Sequence, residues 1–145
     1  MGHSRLLITA LLGLALAACS SATTQELRAD PREKGTVSVR QPYPVVYSNL
    51  SNRAAYCFHG GTPASNFRTE ATEVEPGKYG TVEVIHAGIL VSEVLISADV
   101  RATADGTEVT YFVNSRIYPI FSDAKDRFRP IMEEWAAGTG TRCLA

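Results

Sequence analysis

Residues 91–104, VSEVLISADVRATA, decide the fold. Val94, Ile96, Ala98, Val100 and Ala102 fall on one side of an extended chain, with Ser97, Asp99, Arg101 and Thr103 on the other. A period of two is that of a β-strand with one buried face. Asp105 and Gly106 follow as a two-residue turn, and TEVTYFVNS, residues 107–115, returns with Val109, Tyr111 and Val113 inward. The two segments predict an antiparallel hairpin.

Working outward, FRTEATEV (residues 67–74) and GTVEVIHA (residues 80–87) flank a Pro76, Gly77, Lys78 turn and predict two further strands. TVSVR, residues 36–40, alternates Val37 and Val39 with polar neighbours and predicts a short strand before Pro42. Next, Tyr43, Val46, Tyr47, Leu50, Ala54, Cys57 and Phe58 recur three or four apart, which predicts a helix over residues 44–58, stopped by Gly60 and Gly61. Near the C-terminus, Phe128, Ile131, Met132 and Trp135 share a helical face between a Ser122 cap and Gly138. Pro130 inside that segment predicts a kink or two short helices. The order β-α-β-β-β-β-α predicts an α+β domain of two layers. An antiparallel, curved sheet of four to five strands is packed by an N-terminal and a C-terminal helix.

The 145 residues are 45% apolar and 20% charged, with a net charge of -1, which fits a single globular domain. So balanced a charge argues against nucleic acid as a partner and against a polybasic membrane patch. The sequence contains no phosphate loop, dinucleotide fingerprint or metal-finger spacing.

The N-terminus carries Arg5 and then LLITALLGLALAA, residues 6–18. As a helix this run covers about 20 Å, too short to span a bilayer and suited to an export signal. It ends on Leu16, Ala17, Ala18 and Cys19, which resembles the lipobox of bacterial lipoproteins at all four positions. That resemblance implies diacylglycerol on the Cys19 sulfur, cleavage before Cys19, and acylation of the new amino terminus. Ser20 in place of aspartate implies sorting to the outer membrane. The alternative is an ordinary secretory signal cut after Ala17, which leaves Cys19 as a stray thiol. On the lipoprotein reading residues 1–18 are signal peptide, residues 19–35 a lipidated cysteine and polar, flexible tether, and residues 36–145 the folded domain.

Three cysteines then divide into one anchor and one pair, Cys57 with Cys143. An oxidising compartment favours their disulfide over two buried free thiols, and the absence of a C-x-x-C argues against redox catalysis. His86, in step with Val82 and Val84, is the one ionisable ring on an apolar strand face. With Tyr111 and Trp135 it is the candidate lining of an apolar ligand pocket. His59, beside Gly60 and Gly61, reads as a cation at a helix C-terminus, since the chain has no G-x-S-x-G elbow. Glu70, Glu73 and Glu75 read as a solvated face, and Asp99 and Arg101 as partners of their neighbours. No metal ligands, cofactor or catalytic triad can be nominated.

PYPVVYSNL (residues 42–50), RAAYCF (residues 53–58), the hairpins, and the terminal Trp135, Gly138 and Cys143 resemble small uncharacterised lipoproteins of proteobacteria. This resemblance supports the anchor and the Cys57–Cys143 pair and adds no chemistry. The element order also resembles the helix-grip arrangement of START-like lipid-transfer domains, with fewer strands. The resulting expectation is a non-enzymatic binding or structural module on the periplasmic face of the outer membrane, with an envelope protein as partner. A carrier of a small apolar ligand is the alternative, and a hydrolase stands last.

Overall fold

The computed structural model describes residues 23–62, 64–114 and 127–143. Its elements are α1 (Thr24–Ala29), β1 (Glu33–Val39), α2 (Tyr43–Cys57), β2 (Gly60–Thr62), β3 (Ser65–Glu75), β4 (Tyr79–Gly88), β5 (Ser92–Thr103), β6 (Gly106–Val113) and α3 (Phe128–Ala137). The strands form one antiparallel sheet in the order β1-β6-β5-β4-β3-β2. The class is α+β as the sequence predicts, with six strands in place of four or five.

The additional strand is β2, which pairs Gly60 with Phe67 and Thr62 with Ser65. Gly60 and Gly61 therefore form a sheet edge instead of a helix stop, and α2 closes one residue earlier, with Phe58 as its C-cap. Gly61 has a φ of +134°, and a Cβ there would stand 2.3 Å from the Ser65 carbonyl oxygen, so only glycine fits this edge. The β5–β6 turn is displaced by one residue from the expectation. Thr103 pairs with Gly106, so Ala104 and Asp105 are the loop and Gly106 opens β6.

The main core lies between one sheet face and the pair α2 and α3. Val46 and Leu50 of α2, and Phe128, Met132 and Trp135 of α3, pack on Val82, Val84, Ile96, Ala98, Val100, Val109, Tyr111 and Val113. Pro130 sits in the first turn of α3, where its missing N–H has no intrahelical partner to lose, so residues 128–137 form one continuous helix. The Ser122 cap lies outside the described residues.

The other sheet face carries α1, which corrects the tether expected as far as Gly35. Thr23 caps α1 through a reciprocal capping box with Glu26, and Leu27 is buried with Ile85, Val94 and Phe112. Arg28 binds Asp99 at 2.7 Å, and Thr24 donates to Glu83 at 2.9 Å. Residues 23–35, expected as tether, are therefore folded onto the sheet, and β1 begins at Glu33, three residues before the predicted strand.

Candidate functional site

The far end of the sheet is shaped by one additional residue in β5. Val84 pairs with Ile96, but its neighbour Ile85 pairs with Val94, so Leu95 has no partner on β4 and forms a β-bulge. Asn114 holds the bulge from the side. Its backbone N–H donates to the Leu95 carbonyl at 2.8 Å, and its side-chain amide donates to the Val94 carbonyl at 3.1 Å. A bulge inverts the in-and-out phase of every residue beyond it. Val94, expected inward with Ile96, instead faces α1, while Glu93 turns onto the face that holds Val84 and His86.

His86 consequently stands at the centre of a row across three strands. Its ring lies 5.1 Å from that of Phe67, centroid to centroid. Its Nε2 is hydrogen-bonded to Ser65 Oγ at 2.7 Å, and its Nδ1 lies 3.7 Å from Glu93 Oε1. The His86 side chain is 29% exposed, and that of Glu93 only 7%. Serine hydroxyl, imidazole and carboxylate thus stand in the order of a proton relay, with the carboxylate beyond hydrogen-bond length.

Beside this row, the β4–β5 loop presents Ile89, Leu90 and Val91 to solvent. The loop is tied at its base. Gly88 N–H donates to the Val91 carbonyl at 2.7 Å, and Ile89 N–H donates to the Ala64 carbonyl, next to Ser65, at 3.1 Å. One end of the sheet therefore combines a polar row with an apolar tip.

Cys57 and Cys143 form a disulfide. The expected pocket residues do not converge. The Tyr111 hydroxyl donates to Glu33 at 3.2 Å, and Trp135 Nε1 donates to the Arg142 carbonyl at 2.9 Å. Tyr111 lies on β6, two strands from His86, while Trp135 reaches His86 only through the intervening rings of Phe58 and Phe67. Trp135 lines an interior void of about 10 Å³ between α2, α3 and the sheet, room for at most one water. Larger clefts of about 280 and 460 Å³ open onto the surface and include neither His86 nor Tyr111.

His59 follows α2, and its Nδ1 binds the Tyr56 carbonyl, as a helix C-terminal donor would. Glu70 and Glu75 pair with Arg68 and Lys78 in solvent. Asp99 pairs with Arg28, while Arg101 stacks 4.6 Å over the Tyr79 ring. Among the described residues no three His, Cys, Asp or Glu side chains are placed to hold a metal, and no helix is long and apolar enough to cross a membrane. Cys19 lies outside the described residues.

Ser65 and Glu93 are the site residues that the sequence reading misses. Val94-Leu95-Ile96, three large apolar residues in succession inside an alternating strand, shows that both faces of the sheet are covered there, as does the regular Tyr111-Phe112-Val113 of β6, and so does not reveal the bulge. No protein-family model matches the chain, and no curated protein is similar to it.

Proposed function

We propose that the chain is a lipid-anchored protein of the bacterial cell envelope. Cys19 holds it on the periplasmic face of the outer membrane, where its folded part acts as a non-enzymatic module and presents its surface to an envelope partner. The Cys57–Cys143 disulfide carries this reading, because such bonds form and persist in oxidising compartments outside the cytosol. It joins the lipobox-like Leu16-Ala17-Ala18-Cys19 in pointing to export. The filled core favours a surface function, since a carrier needs several hundred Å³ and the void beneath the helices offers about 10 Å³.

Intact mass spectrometry of the protein from its native membrane, with and without reductant, tests the reading. A triacylated Cys19 and the two-hydrogen deficit of a disulfide are the expected result. An unmodified chain cut before Ala18, with free thiols, overturns it.

The 2.7 Å contact between Ser65 Oγ and His86 Nε2 favours a second reading, acyl transfer. Ser65 Oγ attacks an ester carbonyl and gives its proton to His86, which passes it to the departing alcohol. Water, activated by the same imidazole, then releases the acid and restores the serine. An alkyl fluorophosphonate should then label Ser65, and Ser65→Ala and His86→Ala should abolish the label. A folded wild-type chain that stays unlabelled removes this reading.

A further inference from the structure

Ile89, Leu90 and Val91 expose 76%, 91% and 39% of their surface, and none belongs to either apolar cluster. Single apolar residues on a surface are ordinary, but three in succession on one loop tip form a patch. The tip carries no charge, and its base is closed by the hydrogen bonds from Gly88 and Ile89. Backbone groups satisfied in this way lower the cost of taking the loop out of water.

The length of chain ahead of the domain says what surface the tip meets. Only Ser20, Ser21 and Ala22 separate Cys19 from the Thr23 cap of α1. Four Cα steps reach about 14 Å at most. Thr24 is fastened to Glu83 on β4, six residues before Ile89, so the start of the domain and the loop tip lie about 20 Å apart along the strand. On so short a link the domain cannot stand away from the bilayer, and a modest tilt brings the tip to the same lipid surface.

We propose that Ile89, Leu90 and Val91 form a second contact with the membrane, seated at the boundary between headgroups and acyl chains, where apolar side chains are stabilised by burial. This rests on the lipid anchor proposed above. Two contacts leave the domain only rotation about the line that joins them, and Ser65 and His86, at the base of the loop, lie near headgroup level.

The test uses the full chain as purified from its native membrane, returned to vesicles of phosphatidylethanolamine and phosphatidylglycerol, with and without bromine in the acyl chains. Leu90→Trp places an indole on the tip, while the native Trp135 is 2% exposed and serves as a constant background. The expected result is an emission shift to shorter wavelength and quenching by bromine for Leu90→Trp, with no change for wild type. Val45→Trp, on the exposed side of α2 toward the opposite end of the sheet, should stay unquenched. Flotation of the vesicles reports the anchor independently. Protein that floats while Leu90→Trp stays unquenched, or while Val45→Trp is quenched equally, overturns the loop contact and leaves the anchor standing. Protein that does not float overturns the anchor, and the loop contact with it.

Discussion

The Sγ atoms of Cys57 and Cys143 are bonded across 86 residues of sequence, joining the last residue of α2 to the segment that follows α3. The bond closes most of the domain into one loop. In the chain-entropy account, closing a loop of this size stabilises the fold by about 4 to 5 kcal/mol. Cys143→Ser should lose most of that amount in urea denaturation, and reductant should lower the stability of wild type but not of the variant. Equal stability with and without reductant would contradict the bond.

Gly35 pairs with Tyr111 between β1 and β6, and a Cβ on Gly35 would stand 2.3 Å from the Tyr111 hydroxyl oxygen and 2.5 Å from Cζ. Tyr111 is buried and hydrogen-bonded to Glu33, so it has little room to retreat. Gly35→Ala should cost about 1 to 3 kcal/mol, the range for overpacking a filled core. Thermal denaturation reads the loss directly, and a neutral result would mean that β1 slides.

Leu27 is the only residue that α1 buries, and it seals the cluster of Ile85, Val94 and Phe112. Leu27→Ala should destabilise the protein by about 2 to 3 kcal/mol. It should also free α1 from the sheet, so that trypsin cuts faster after Arg28 and Arg32 than in wild type. Unchanged cleavage would show that the ion pair of Arg28 with Asp99 is sufficient to hold the helix.

Tyr43 and Tyr47 stack on each other with ring centroids 5.5 Å apart. Burial, and secondarily the nearby Glu73 carboxylate, hold the Tyr43 phenol above its ordinary value, and the same two causes raise Tyr47. The folded chain therefore keeps protons that the unfolded chain releases. Its stability from this source is complete below about pH 10, the ordinary tyrosine value, and is lost as pH rises through the folded-state values above it. Urea midpoints measured at increasing alkaline pH should fall, and Tyr43→Phe should make the fall shallower.

Periodicity made much of this architecture readable. α2, the β5–β6 hairpin and the inward faces of β4 and β6 follow from apolar residues spaced by three or four, or by two, because burial against a partner layer imposes those spacings. α1 escaped because six residues with one buried side chain show no period, although Thr23 and Glu26 spell a capping box. β2 escaped because glycine has no side chain to pattern. Pro130 misled because its effect depends on where the helix begins, which the apolar spacing does not define. At the candidate site, the facing of His86 was legible, but its partners were not, since strict alternation sends Glu93 to the other side of the sheet.

Leu95 gives that last point a hereditary meaning. A chain one codon shorter at this place would keep Val84 against Ile96 and Ile85 against Val94, since the residue left out is the one without a partner, and every side chain would address the face it addresses now. The losses would be the Leu95 side chain from the main core and the Leu95 carbonyl that accepts from the Asn114 N–H. The row of Ser65, His86 and Glu93 therefore outlasts a deletion at Leu95, whereas Leu95 drawn into the ladder as a regular residue would turn Val94 and Glu93 to the opposite faces.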